Sequence, residues 1–430
     1  MADPKVGLAL LLRGKQRQGG QMETAPMPDR TIGFRFQDTF LAIEDPDIVP
    51  SDRMPGILRK CMSTITNGSN GTNGGGYLEF ERPLAKIEKQ IEELESTQAV
   101  TGRDLSEMIR TVRSELLAAK RKLYADLNAW ETVQVARHPR RPLTPDYLGL
   151  MVRDFCELHG DRNFRDDRAI ITGFGRIGPH KCMFIGHNKG KDTKERLENC
   201  FGMAHPEGYR KALAKMKLAE KFGVPVVCLI DTAGAYPGIG AEERGIAYAI
   251  AVNLMEMARL KVPVVCVVIG EGGSGGALGI GVGDRVAMFE HAYYSVISPE
   301  GCAAILWKSA EHAQTAAKAL KFTSKELRKL NLIDDVIKEP LGGAHRDPAA
   351  AAASLEKYIV ESLRDLKRVK PETLLKRRYK RLRELGSFFT VEGAAAAKIS
   401  VTKPRTRAAI KRAHKVIVAP ATARPVAIEA

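Results

Sequence analysis

Gly270-Glu271-Gly272-Gly273-Ser274-Gly275-Gly276-Ala277 follows the apolar run Val262-Pro263-Val264-Val265-Cys266-Val267-Val268-Ile269. The pattern predicts a buried strand that delivers a glycine-rich turn into a helix. Small residues let a ligand approach bare backbone N–H groups, and the first turn of a helix adds partial positive charge to them. The chemistry this favours is the holding of an oxyanion. Two other chemistries fit the same residues. Gly270-x-Gly272-x-x-Gly275 matches a dinucleotide fingerprint with Glu290 as the ribose-binding acid, although Ala277 to Val282 is short for the helix of a βαβ unit of about 30 residues. Gly272-Gly273-Ser274-Gly275-Gly276 matches a nucleophile elbow, for which Ser274 needs an acid and a histidine, and His291, His312 and His345 stand downstream. A turn that only lets a helix pack closely on a sheet has the same composition.

A second segment repeats the design. Val224-Pro225-Val226-Val227-Cys228-Leu229-Ile230 is a short apolar strand that runs into Asp231-Thr232-Ala233-Gly234-Ala235-Tyr236-Pro237-Gly238-Ile239-Gly240, and Ala241-Glu242-Glu243-Arg244 opens a helix. Strand, glycine-rich turn and helix thus occur twice, about forty residues apart, as in successive turns of a β/α superhelix that lay their loops on one rim. Two such loops side by side make a pocket. Within it, Tyr236 has a flat apolar face and a hydroxyl to present to a ligand, and an ordinary core tyrosine fits equally well.

Asp231 to Arg244, Val268 to Asp284 and Ser295 to Lys308 resemble the carboxyltransferase α subunit of the bacterial, multi-subunit acetyl-CoA carboxylase. The resemblance is colinear from Tyr77 to Gly386. It takes in Arg137-His138-Pro139, Gly186-His187-Asn188-Lys189-Gly190, Phe201-Gly202-Met203, Pro206-Glu207-Gly208-Tyr209-Arg210-Lys211-Ala212, Pro340-Leu341-Gly342-Gly343-Ala344-His345-Arg346 and Arg377-Arg378-Tyr379. Two positions depart from the usual pattern: Ala233 stands where proline is common and Gly279 where alanine is common.

The resemblance implies a crotonase-like (ClpP/crotonase) α/β fold, a β/α superhelix with an N-terminal helical hairpin. It also implies transfer of the carboxyl group from carboxybiotin, borne by a biotin carboxyl carrier protein, to acetyl-CoA, giving malonyl-CoA for fatty acid biosynthesis. In this family the amides that fall on Gly275 and Gly276 hold the ureido oxygen of biotin, and a β subunit supplies the amides for the thioester oxygen. Gly234, Ala235, Tyr236, Pro237, Gly238, Gly272, Gly273 and Ser274 are then the substrate-binding residues. The implied partners are the β subunit in an α2β2 heterotetramer, the carrier protein and biotin carboxylase. The implied zinc belongs to β, and no metal is expected in this chain.

Other residues carry plainer readings. Ser298-Pro299-Glu300 fits an N-cap, a first-position proline and a first-turn acid, so Glu300 is expected to be structural. His187, following the strand Cys182-Met183-Phe184-Ile185, is expected to be satisfied by neighbouring backbone. The cysteines at 61, 156, 182, 200, 228, 266 and 302 form no C-x-x-C pair, which argues for reduced thiols in the cytoplasm and against a zinc ribbon. No apolar run approaches the roughly 18–20 residues of a membrane span. Acids at Asp3, Glu23, Asp29 and Asp38 argue against a transit peptide.

Composition divides the chain. Residues 1–61 form an extension without sustained periodicity, and translation is expected to begin at Met62, directly before the linker. Residues 62–76 form a flexible Asn/Gly/Ser/Thr linker. Residues 77–130 are a helical hairpin, with Leu84, Ile87, Ile91 and Leu94, then Leu105, Met108, Ile109, Val112, Leu116 and Leu123, at helical spacing and a break around Thr97 to Gly102. Residues 131–386 form the catalytic domain. Within it, 154–185 read as an acidic loop and a strand meander, 206–222 as a helix stopped by Gly223, and 241–260 as one amphipathic helix. Residues 387–430 are a basic Ala/Pro/Lys/Arg tail, expected to be disordered and carrying part of the formal +16 charge. Its usual use is solvation, with nonspecific nucleic-acid binding the alternative. Besides the carboxyltransferase, a self-contained acyl-CoA hydratase or hydrolase and a noncatalytic scaffold fit parts of the pattern.

Overall fold

Apolar runs without alternation belong to strands covered on both faces, and the sheet is built around two of them. The computed structural model describes residues 76–385. The extension 1–61, the tail 387–430 and all of the 62–76 linker except Gly76 lie outside the described residues. One sheet contains β1 Arg153–Glu157, β2 Ile170–Ile177, β3 His180–His187, β4 Val226–Thr232, β5 Val264–Gly273, β6 Arg285–Phe289, β7 Tyr293–Ser295 and β8 Asp335–Ile337. Their order is β1-β2-β3-β4-β5-β6-β8, with β7 joined to β5 beside that path. The meander β1-β2-β3 is antiparallel, and every pairing from β3 onward is parallel. All residues of β4 and β5 are buried, which accounts for their unbroken Val, Ile, Leu and Cys content.

β5 differs from the sequence expectation. Its apolar run predicts an end at Ile269, yet the strand continues through Gly273. Glu271, Gly272 and Gly273 pair with Tyr293, Tyr294 and Ser295 of β7, so the helical turn starts only at Ser274.

The helix Pro206–Lys221 begins with proline at its first turn and is followed by Gly223 at φ +64°. Its buried residues include Tyr209, Ala212, Met216 and Ala219, and it packs against β2, β3 and the helix Ile246–Arg259. The single helix expected over 241–260 is two. Ile239–Glu243 forms a short turn, Gly245 takes φ +78°, and Ile246–Arg259 starts afresh. Apolar periodicity runs across that joint, so the pattern alone does not register it.

The helices Arg82–Thr101 and Ser106–Ala125 pack on one another as a hairpin. The first helix passes through Thr97, where the hydroxyls of Thr97 and Thr101 donate to the carbonyls of Glu93 and Thr97, at 2.7 and 2.6 Å, within the helix. It stops at Gly102, which is left-handed at φ +64°. The foot of the hairpin is anchored by the buried Glu81, which accepts from the Tyr124 hydroxyl at 2.6 Å and from Arg346 at 3.2 Å. Gly76 is fixed as well, its carbonyl lying 2.9 Å from His138 Nε2.

Candidate functional site

β4 and β5 are neighbours, so the turns that leave them emerge side by side. The contact between these turns is main chain on main chain. A Cβ placed on Gly276 would lie 2.3 Å from the carbonyl carbon of Gly234 and 2.6 Å from the nitrogen of Ala235. Only glycine fits at that crossing. Gly273, as N-cap of the short helix Ser274–Leu278, offers no side-chain cap, so the first amides of that helix are the uncapped kind that accept an anion. Ser274 holds φ +49°, an uncommon value for a residue with a side chain.

Buried polar side chains fix the turn from behind. The Tyr209 hydroxyl donates to the carbonyl of Gly276 at 3.3 Å. Asn253 spends both amide protons on main chain, donating to the carbonyls of Tyr209 at 3.0 Å and Gly279 at 2.9 Å. Gly279, where an alanine is common in the resemblance, has a physical counterpart here: a Cβ on it would lie 2.5 Å from a Tyr209 ring carbon. On the facing turn, Thr232 Oγ1 donates to the Gly234 carbonyl at 2.7 Å. Tyr236 is half-buried, its N–H donates to Ala204 at 3.0 Å, and one ring face stacks on His205 with centroids 4.1 Å apart. Gly234, Ala235, Gly238, Ser274 and Gly275 are partly exposed on this rim and Pro237 is exposed, whereas Gly272, Gly273 and Gly276 are buried.

The two rival chemistries do not assemble. For a dinucleotide fingerprint, Gly270 and Gly272 lie inside the strand with only Gly275 in the helical turn, and Glu290 pairs with Lys338 at 2.7 Å. For a triad, His291 packs edge-on against Tyr124 and His345 stacks on His138 at 3.9 Å. Among the described residues, no histidine hydrogen-bonds Ser274.

Beneath the turns lies a cluster that residue spacing does not announce. Regular pairing of β4 with β5 runs from Val226–Val264 to Ile230–Val268 and then jumps to Thr232–Gly272. The bulge leaves backbone groups without ladder partners, and charged side chains take their place. The Glu271 N–H donates to Asp231 Oδ1 at 2.8 Å, and the Ile269 carbonyl accepts from Arg141 Nε at 2.9 Å. Each of these side chains is neutralised in turn. Lys189 bridges Asp231, at 2.7 Å, and Glu271. Arg137 bonds Glu271 Oε1 at 2.6 Å, Glu300 at 2.6 Å and the Tyr293 hydroxyl at 2.9 Å. Arg141 forms a bidentate pair with the buried Glu339. Burial works to raise the Glu271 carboxyl, but Lys189 and Arg137 outweigh it and hold the group well below the ordinary carboxylate range. Burial likewise opposes the Lys189 charge, and Asp231 and Glu271 overcome it. Glu271 and Lys189 therefore face each other as carboxylate and ammonium.

Ser298 caps its helix as expected, its Oγ accepting from the Gly301 N–H at 3.0 Å with Pro299 in first place. Glu300 does more than occupy a first turn, since it closes the Arg137 end of the cluster. His187 is wholly buried, and its ring nitrogens face the backbone of Leu229 and Gly276, the expected neighbours, without a hydrogen bond of good geometry. Burial, with Lys189 beside it, pushes its pKa down to about 3 and keeps the ring neutral. The signal that marks the cluster in the sequence is an acid at the end of each apolar strand, Asp231 and Glu271, directly before each glycine-rich turn.

A family model described as acetyl co-enzyme A carboxylase carboxyltransferase-like matches residues 77–386. Curated relatives match almost end to end. The acetyl-coenzyme A carboxylase carboxyl transferase subunit alpha of Rhodopirellula baltica is 55% identical over 314 residues, covering 73% of this chain and 98% of that protein. The proteins of the same name from Edwardsiella ictaluri and an Azoarcus species are each 53% identical, over 72% and 73% of this chain and 98% and 97% of their own lengths.

Proposed function

The chain belongs to the acetyl-CoA carboxylase carboxyltransferase family, and from that premise we propose that it is the α half of a carboxyltransferase moving the carboxyl group of carboxybiotin to acetyl-CoA. The observation that carries this reading is the colinear match across nearly the whole length of the R. baltica α subunit. The carboxybiotin arrives on a biotin carboxyl carrier protein charged by a biotin carboxylase, and the product is malonyl-CoA for fatty acid synthesis.

The chemistry suits a site made of amides. The N–H groups of Gly275 and Gly276 would hold the ureido oxygen of carboxybiotin where negative charge develops, and losing one such preorganised donor costs about 3–4 kcal/mol of catalysis. When bound, carboxybiotin would supply both the CO2 and the base for the acetyl-CoA methyl proton. No side-chain base is required, which agrees with Glu271 and Asp231 being committed to Lys189, Arg137 and the backbone. Gly234, Ala235, Tyr236, Pro237, Gly238 and Ser274 line the biotin side, while Gly272 and Gly273 support it from within the sheet.

A partner β subunit, carrying the zinc, supplies the thioester-holding amides and completes an α2β2 assembly in the cytoplasm. No helix among the described residues is long and apolar enough to cross a membrane. The test is carboxyl transfer from malonyl-CoA to biocytin by the purified chain, alone and mixed with a candidate β subunit. Activity is expected only in the mixture. Thioester hydration or hydrolysis by the lone chain would overturn the proposal in favour of a self-contained acyl-CoA enzyme.

A further inference from the structure

We propose that Lys189 is a positioning residue for carboxyl transfer: by tying Asp231 to Glu271 at the bulge it fixes the spacing of the two glycine-rich turns. The inference rests on the carboxyltransferase reading of those turns.

The connections form a closed ring. Lys189 Nζ lies 2.7 Å from Asp231 Oδ1 and also bonds Glu271 Oε2. Asp231 Oδ1 accepts the Glu271 N–H at 2.8 Å. Asp231 and Glu271 stand immediately before Thr232-Ala233-Gly234 and Gly272-Gly273-Ser274, so one ammonium group joins the two strands where their regular ladder is interrupted. Lys189 itself follows the end of β3 at His187, which brings a third strand end into the ring. The fit is close, since a Cβ on Gly270 would lie 2.6 Å from Asp231 Oδ1. The other Glu271 oxygen is held by Arg137 and by the Tyr293 hydroxyl of β7. Regular backbone pairing is interrupted between Ile230 and Thr232, and the side-chain ring spans that interruption. Displacements of about 1 Å in a reacting group cost about 100-fold in rate, so a small slip of one strand end suffices to spoil the amides at Gly275 and Gly276.

The test uses the full chain with its partner subunit and compares wild type, Lys189→Met and Lys189→Met/Asp231→Asn. The double variant removes the ammonium without leaving an unpaired carboxylate at position 231, and the amide oxygen introduced there still accepts the Glu271 N–H. It is expected to recover the thermal midpoint of wild type yet remain about 100-fold low in kcat, with KM for malonyl-CoA little changed. Hydrogen exchange of the peptide spanning 270–280 is expected to quicken. Recovery of both midpoint and kcat in the double variant would reduce Lys189 to charge balance and overturn the proposal, as would unchanged exchange or a Lys189→Met enzyme of full kcat. Absence of transfer with the wild-type chain would refute the carboxyltransferase reading instead, and exchange would then still decide whether Lys189 sets the turns.

Discussion

Gly275 and Gly276 are adjacent and meet different surroundings, which separates steric from chemical roles. A Cβ on Gly275 would touch only Ile250 Cδ1, at 3.7 Å, whereas one on Gly276 would enter the backbone of Gly234 and Ala235. Gly275→Ala is accordingly expected to match or slightly exceed the thermal midpoint of wild type, since a helical alanine favours the fold by about 0.5–1 kcal/mol. Gly276→Ala is expected to lose about 1–3 kcal/mol to overpacking and to lose carboxyl transfer with it. Thermal melts paired with transfer assays check both, and equal behaviour of the two variants would contradict the observed crossing of the turns. The glycine-rich turn was legible in the sequence because a strand, small residues and a helix follow one another locally, whereas the choice of Gly275 and Gly276 within it came from the family resemblance. The ion cluster was not legible, because Arg137 meets Glu271 and Glu300 across 134 and 163 residues, and no local spacing encodes such a meeting.

At the scale of elements, the strands were legible as apolar runs, but their ends were set by neighbours. β5 extends to Gly273 only because β7 lies alongside it, and the helix expected over 241–260 breaks at Gly245. The last described helix, Pro371–Arg383, buries Leu374, pairs Arg381 with Asp334 at 2.9 Å and is fastened above all by Arg378. Arg378 is buried and donates to Asp284 at 2.6 and 2.8 Å and to the carbonyls of Met257, Leu260 and Val262 at 2.7–2.9 Å. It thereby ends the helix Ile246–Arg259, the start of β5 and the loop before β6 on one guanidinium. Arg378→Met, which roughly keeps volume but leaves the Asp284 carboxylate with only the Val264 N–H and removes the donor from three carbonyls, is expected to cost about 3–5 kcal/mol. Equilibrium denaturation measures this, and a loss below about 1 kcal/mol would show that water reaches the orphaned groups.

For the molecule as a whole, buried neutral histidines set an acid limit. Burial lowers the pKa of His345 to about 2, aided by His138 and nearby arginines, that of His187 to about 3 and that of His205 to about 4. All three lie below the ordinary value of 6.5, so the unfolded chain binds protons that the fold refuses. Their contribution is complete above about pH 6.5 and is lost progressively as pH falls towards the folded values, with a limiting slope of about 1.4 kcal/mol per pH unit for each histidine. Denaturation midpoints between pH 7 and 5 are expected to fall, and His345→Phe, which keeps the ring stack on His138, is expected to flatten the decline. An unchanged slope would remove His345 from the account. The overall α/β organisation was readable from the alternation of apolar runs and amphipathic stretches, whereas these histidines gave no sign of their burial. The charge cluster at the bulge has one more consequence, for the order in which the chain becomes native. Its members come from segments around Arg137, Lys189, Asp231, Glu271 and Glu300, and each charge is costly to dehydrate until its partners arrive. Closing contacts over such separations is slow and follows collapse of the surrounding sheet. The rim formed by the two glycine-rich turns is therefore finished last, after the chain has already acquired its core.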